Sequence, residues 1–349
     1  MQRLSRLRDA IAPPPAHRAA QAQRHLDSLT KPPGSLGRLE ELARRLVEIR
    51  GGAAPAVERP VIFTFAGDQE GVSAYPQVVT AQMVENFLRG GAGVNVLARQ
   101  AGAQVVVADL GVATPLSARA GLVSRRIADG TRNIARGPAM TPAQAVAAVE
   151  VGAELAEAAI ADGADLLGLG EMGIGNTTPA SAVTAAITGA PVEAVTGRGT
   201  GIDDATWGRK VEVVGRALAG NRPDRADGLD VLASLGGFEI GGLAGVVLAG
   251  AAHRVPVALD GFVATAAGLI AVAIAPAARH FLFASHRSVE PGHAAALRHL
   301  GLEPYLDLGM RLGEGTGAAL FVHLARAAAR IYTEMATFKS AGVDERCEG

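Results

Sequence analysis

Pro60-Val61-Ile62-Phe63-Thr64-Phe65-Ala66-Gly67-Asp68 is a nearly unbroken apolar run that ends on a glycine and an acid. A strand apolar on both faces belongs inside a sheet covered on both sides. The same texture returns along the chain. Residues 105–107 run into Asp109-Leu110-Gly111, and residues 164–169 into Gly170-Glu171. Residues 255–259 run into Asp260-Gly261, and residues 281–284 into Ser285-His286-Arg287. Helical patterns lie between them, at 80–100, 142–161, 179–188, 204–219, 240–252 and 261–274. This alternation predicts an α/β fold, a doubly wound and mostly parallel sheet in an α/β/α sandwich. Such sheets bind ligands beyond the carboxyl ends of their strands, where this chain gathers its polar and acidic residues.

The 349 residues suffice for one large α/β domain, alone or with a small one. Hydrophobic residues make up 49% and aromatics only 4%, so the core must be built from Ala, Val, Leu and Ile. With 33 basic and 34 acidic residues there is no electrostatic footprint for nucleic acid and no polybasic membrane patch. The single cysteine, Cys347, lies in a polar tail, which argues against a disulfide framework or a thiolate metal cluster. Reducing cytoplasm is the expected compartment. Residues 1–9 carry charge without a following apolar block, unlike a signal peptide. Residues 261–278 are uncharged over 18 positions, the lower limit for a membrane span. Their Ala, Gly and Thr content and Pro276 favour a buried helix.

Residues 1–57 read as a helical, amphipathic cover. A helix over 18–28 is broken at Thr30-Lys31-Pro32-Pro33-Gly34, and Ser35 is placed to cap a second. In that second helix Leu36, Leu39, Leu42, Leu46 and Ile49 share one face, and Gly51-Gly52 ends it. At the other end, residues 305–308 carry a short strand pattern and residues 317–333 an Ala-rich helix; the tail from about 335 reads as loose.

Between that strand and helix stands Glu314, in Gly313-Glu314-Gly315-Thr316-Gly317. Glycine on both sides permits positive φ and close approach to a ligand. The carboxylate is placed to accept a proton, or else to serve the N-terminus of the helix. Gly168-Leu169-Gly170-Glu171-Met172-Gly173 with Glu193 formally meets a dinucleotide fingerprint. A carboxylate within the turn would repel a pyrophosphate, however. Gly175-Asn176-Thr177-Thr178-Pro179 is the better anion site, since small residues and hydroxyls open a helix there. Gly197-Arg198-Gly199-Thr200-Gly201 repeats the device before a helix carrying Lys210, which reads as solvated or as a phosphate contact.

Gly236-Gly237 and Gly241-Gly242 suit helix packing and ligand approach equally. Ser288, in the loop between His286 and His293, suits a phosphate or ribose; the histidine spacing does not suit zinc. Ser73 and Tyr75, followed by Gln82, offer an aromatic face and polar groups to a flat ligand, with core packing as the equal alternative. No nucleophile elbow occurs, so acyl-enzyme chemistry is disfavoured.

Taken together the motifs resemble the nicotinate-nucleotide–dimethylbenzimidazole phosphoribosyltransferase family. The likeness runs from about residue 29 to 338 and includes residues 29–37, 71–77, 86–95, 170–179, 197–204, 236–242, 285–293 and 312–317. It implies transfer of ribosyl phosphate from nicotinate mononucleotide to dimethylbenzimidazole, in cobalamin biosynthesis, with no cofactor or metal. It also implies a homodimer in which residues 58–317 form a large Rossmann-like domain, with 1–57 and 318–349 as a small helical one. Glu314 corresponds to the family's proton acceptor, and Glu171 and Lys210 to residues lining its site. The expected phosphate and ribose contacts are Gly173, Gly175, Asn176, Thr177, Thr178, Gly199, Gly201, Lys210 and Ser288. The expected base contacts are Ser73, Tyr75, Gln82 and Leu312.

One departure stands out. Family members usually carry Gly-Asp-His-Gly after the first strand, where this chain has Asp68-Gln69-Glu70-Gly71, a shorter loop without the histidine. It is expected to border the base, so another azole or purine base fits the departure too. The rival readings are an NAD-dependent dehydrogenase and a nucleotide-binding homologue without turnover.

Overall fold

The structure is a computed structural model that describes residues 2–52, 54–199 and 201–344. Thr200 and Cys347 lie outside the described residues. The sheet has six parallel strands: β1 (Pro60–Gly67), β2 (Gln104–Gly111), β3 (Leu122–Ser124), β4 (Leu166–Met172), β5 (Val257–Leu259) and β6 (Leu282–Ala284). Their order is β3-β2-β1-β4-β5-β6, so the winding reverses between β1 and β4. β3 was not legible in advance, because three half-exposed edge residues make no apolar run.

Strand β1 shows why the sheet is covered on both faces. Val61, Phe63 and Phe65 join the cluster under helices Pro142–Ala161 and Phe238–Ala252. Ile62 and Ala66 join the other cluster, with helices Val78–Arg89, Gly93–Ala101 and Thr316–Glu334. Side chains alternate along a strand, so an uninterrupted apolar run is what two dry faces require. With so few aromatics, the layers close by backbone approach instead. A Cβ on Gly152 would overlap the carbonyl oxygen of Gly242, and one on Gly245 that of Val149. These contacts press helices Pro142–Ala161 and Phe238–Ala252 together, and the glycines at 241–242 serve packing rather than a ligand.

Several expectations need correction. The helix expected over 80–100 is two helices, because Gly90 adopts left-handed φ 76 and ends the first. Ser35 caps nothing: the helix is Arg38–Ile49, with Gly37 at φ 56 before it. Glu40 turns back instead, accepting the Leu36 N–H at 2.9 Å and pairing with buried Lys31 at 2.8 Å. Residues 305–308 form only one bridge, Leu306 to His286, rather than a strand.

The tail beyond 335 is not loose over its described part. Thr337 bridges Leu29, and helix Phe338–Ala341 follows. Helix Thr316–Glu334 packs on Arg38–Ile49 and also reaches the sheet. Residues 262–274 are a buried helix as expected, and no helix among the described residues is long and apolar enough to cross a membrane.

Gly245→Ala is expected to cost at least about 2 kcal/mol, because backbone on the facing helix cannot yield to the added methyl. Gly208→Ala, on an exposed helix position with open space around it, is expected to gain up to about 1 kcal/mol. Urea unfolding midpoints of the two variants test both signs.

Candidate active site

All six strands run the same way, so their carboxyl ends meet on one side. Register places Glu171 beside Phe65, and Asp109 beside Ala66. Beyond β1 the chain continues into Asp68 and Gln69, beyond β5 into Asp260, and beyond β6 into Ser285 and His286. A cleft of about 660 Å³ opens over these ends, next to the point where the winding reverses.

Glu314 and Glu171 line this cleft together with Gly173, Gly175, Asn176, Thr177, Gly199, Ser288, Ser73, Tyr75 and Leu312. The expected acid and the expected anion turn therefore share one cavity. Glu314 is 5% exposed and has φ 65, a left-handed conformation uncommon outside glycine. Its Oε2 accepts the Val94 N–H at 3.2 Å, at the start of helix Gly93–Ala101. The glycine break after Arg89 creates that helix start. Burial raises the Glu314 pKa above its ordinary value, and the Val94 and Gly93 amides pull it back. Glu171 is pushed up to about 7 by burial, with the Glu314 charge adding to the rise. The Asn176 side-chain amide, which donates to Glu171, opposes it.

Of the two alternatives for Lys210, the solvated one does not hold. It is 1% exposed, and its ammonium donates to the Thr177 hydroxyl at 2.8 Å and to the Gly197 carbonyl at 3.0 Å. Burial lowers its pKa to about 8, and the Glu290 carboxylate raises it again. Lys210 therefore stands behind the cleft wall and polarises Thr177, whose hydroxyl hydrogen is left to donate into the cavity.

Four expected residues do not line the main cleft. Thr178 is buried, and its hydroxyl accepts the Val72 N–H. Gln82 is exposed, and Met83 next to it lines the cleft. Gly201 borders a smaller adjoining cavity of about 530 Å³, and Lys210 acts only through Thr177. Tyr75 and Leu312 are 54% and 60% exposed, which rules out core packing for the tyrosine.

A second group of acids lies beneath the floor. Glu239 is fully buried and pushed up to about 8, first by burial and then by the Glu171 and Asp68 charges. Gln69 donates to it at 3.0 Å. Gln69, in the loop where the family motif is altered, thus pairs with a buried acid and does not line the cleft.

Asp260 accepts the Gly315 and Gly317 N–H groups at 3.0 and 2.6 Å. His293 is buried between Ser288 and Thr265, and burial drives it down to about 3, so it stays neutral. No cluster of three or more metal-ligating side chains occurs among the described residues.

The dinucleotide reading loses its support here. A Cβ on Gly168 would crowd Ile62 and Ala318, and Gly170 and Gly173 lie under the Glu314 and Gly67 carbonyls. At all three glycines the space a side chain would take is filled by protein, although Gly173 also borders the cleft. A model of a phosphoribosyltransferase family matches residues 11–343. The chain belongs to this family. It is 57% identical to the nicotinate-nucleotide–dimethylbenzimidazole phosphoribosyltransferase of Geobacter sulfurreducens over 96% of both chains. It is 55% identical to the Desulforudis audaxviator enzyme of the same name, over 99% of both. The crystal structure of CobT from Thermus thermophilus superposes with a TM-score of 0.91 at 50% identity, covering 95% of this chain and 100% of that one.

Family membership accounts for the long motifs, but the geometry adds residues that the motifs did not mark. Asp260 follows β5, and Glu239 sits in the first turn of helix Phe238–Ala252, inside the 236–242 motif; the habit of acids to collect at strand ends hinted only at the first. Glu290, inside the 285–293 motif but not singled out there, also lines the cleft, as do Met83 and Arg311, which no motif marked.

Glu239 gives a pH test with a definite sign. A carboxyl held near 8 when folded and near its ordinary 4.5 when unfolded stabilises the protein fully below 4.5. That contribution is lost as pH rises from there through about 8. Glu239→Gln keeps the shape and the acceptor for Gln69 but cannot ionise. Its melting temperature relative to wild type should therefore rise between pH 5 and pH 8.5; an unchanged difference would show that Glu239 does not titrate in this window.

Proposed function

We propose that the chain transfers the 5-phosphoribosyl group of nicotinate mononucleotide to dimethylbenzimidazole, giving α-ribazole 5′-phosphate and nicotinate for the lower ligand of cobalamin. One observation carries the reading: Glu314, Glu171 and the Asn176–Thr177 turn line a single cleft, in a chain 55–57% identical to enzymes named for this reaction.

The phosphate sits at the turn from Gly173 to Thr177, where the start of helix Thr177–Thr188 and the Lys210-polarised Thr177 hydroxyl favour an anion. The aromatic base lies among Val79, Met83, Tyr75 and Leu312, beside Glu314. A pyridinium bound to ribose already leaves readily. As the C1′–N bond breaks, its electron pair returns to the ring nitrogen and nicotinate is released. The Glu171 carboxylate faces the developing positive charge at C1′. An imidazole nitrogen of the incoming base bonds to C1′ from the opposite face, which inverts that centre. The proton on the second nitrogen passes to Glu314. The raised pKa of Glu314 makes it a better acceptor than an ordinary exposed carboxylate.

The reading includes a cytoplasmic homodimer with small-molecule substrates. Exposed Tyr75, Val289, Leu308 and Leu312 near the cleft support association, and the single cysteine suits a reducing compartment. It also groups residues 1–57 with 318–349 as a small helical unit, supported by the packing of Thr316–Glu334 on Arg38–Ile49.

Glu314→Gln should retain nicotinate mononucleotide binding and lower turnover by about two to four orders of magnitude. Chromatography of nicotinate and α-ribazole phosphate from wild type and variant tests this. Turnover within a few-fold of wild type would remove Glu314 from the proton transfer, and a wild type that releases no nicotinate would remove the activity itself.

A further inference from the structure

Asp260 does not line the cleft, yet it is tied to the loop that carries Glu314. It follows β5, is 1% exposed, and comes 55 residues before the first group it binds. Its Oδ2 accepts the Gly315 N–H at 3.0 Å and its Oδ1 the Gly317 N–H at 2.6 Å. These are the opening amides of helix Thr316–Glu334, whose N-cap is Gly315 at φ 101 and has no side chain to satisfy them. Asp260 supplies that cap from another part of the chain.

The loop is held from its other side as well. The Thr64 hydroxyl donates to the Glu314 carbonyl at 2.9 Å. Between the two anchors, Glu314 keeps a left-handed backbone that costs a non-glycine residue about 1 kcal/mol or more. Such a conformation persists only where the surroundings impose it. Without the anchor on the 315–317 side, the peptide after Glu314 is free to turn. The carboxylate would then leave the Val94 N–H that fixes its direction.

We propose that Asp260 is a positioning residue for the transfer reaction, clamping the Gly315 and Gly317 amides so that Glu314 presents its carboxylate to the base. The proposal rests on Glu314 being the proton acceptor. His286 reinforces the clamp: its Nδ1 lies 3.5 Å from the same Asp260 oxygen, and its ring packs against Gly317.

Asp260→Asn tests it. The variant keeps the volume but places an NH₂ against one of the two amide donors, so one clamp bond is lost. Misplacing a catalytic group by about 1 Å costs on the order of 100-fold, so kcat should fall about 10- to 100-fold with little change in KM for nicotinate mononucleotide. The decisive reading comes from the Glu314→Gln background. A residue that acts only through the Glu314 carboxylate should cost less than about two-fold there. A general structural role would cost the same in both backgrounds and would overturn the proposal, as would wild-type kcat in the single variant. If Asp260→Asn does not accumulate as folded protein, Asp260→Ser, smaller and able to accept one amide, enters the same cycle. Should Glu314→Gln alone turn over at the wild-type rate, it is the proton-acceptor reading that fails, a result separable from failure of the clamp.

Discussion

Glu314 reaches the cleft because strand β4 has no side chain at residue 170. The loop carrying Glu314 passes directly over that position, and a Cβ on Gly170 would overlap the Glu314 carbonyl. This crossing fixes where helix Thr316–Glu334 begins and how closely it lies on the sheet. It also brings Gly313 against the Glu171 carboxylate, so that the two acids of the site become neighbours. Any residue larger than glycine at 170 would push the loop outward and separate them. The contacts that hold Glu314 (Thr64, Val94 and Asp260) all presuppose this crossing.

The crossing has an electrostatic consequence. Glu314, Glu171, Glu239, Asp260 and Asp68 are gathered under one floor, each with its pKa raised chiefly by burial. A parallel sheet makes this arrangement natural, since every strand ends on the same side and its helices start there. Backbone N–H groups answer the acids: Val94 for Glu314 and Gly315 and Gly317 for Asp260 at helix starts, and Ala113 for Asp68 in the loop after β2. Burial outweighs such amides where it is deepest: Asp260 accepts two and is still pushed up to about 8. Glu239, facing only Gln69 and its own N–H, is raised as far. Near pH 7 the floor therefore holds Glu239 and Asp260, pushed up to about 8, with Glu171, pushed up to about 7, beside them.

Much of this was legible in the sequence, for reasons that also explain what was not. The five longer or more apolar strands announced themselves because a strand dry on both faces has to be apolar throughout. Strand β3 could not, being short and half exposed. The break at Gly90 was hidden in a continuous helical pattern, yet it creates the amide that holds Glu314. Ser35 looked like a cap by composition, but Glu40 satisfies the amide there from within the helix. Strand-end acids were visible as a class, and sequence spacing cannot reveal that Asp260 turns toward a helix beginning 56 residues later. Lys210 was placed on the correct helix with the wrong surroundings, because burial of a lysine depends on partners such as Thr177 and Gly197 that lie far away in sequence. The loop at Asp68–Gly71 is expected to border the base, and spacing could not show that the Gln69 side chain turns under the floor to Glu239.

The cleft brings both kinds of charge together: buried Lys210 acts through the Thr177 hydroxyl at a helix start, and Glu171, contacted by Asn176 of the same turn, lines the wall with Glu314. In the proposed transfer, a nucleotide with an anionic phosphate and a cationic ring on its ribose finds a partner for each. In that mechanism the approach of the cationic ring favours ionised Glu171, which burial and the neighbouring acid push up to about 7. Charge on Glu171 and charge at C1′ then stabilise one another as the glycosidic bond weakens. Once nicotinate has formed and the pyridinium charge is gone, that mutual support ends. In the proposed mechanism Glu314, once it holds the proton of the new base, no longer raises the pKa of Glu171, and the pair returns toward its resting state as that proton is lost to solvent.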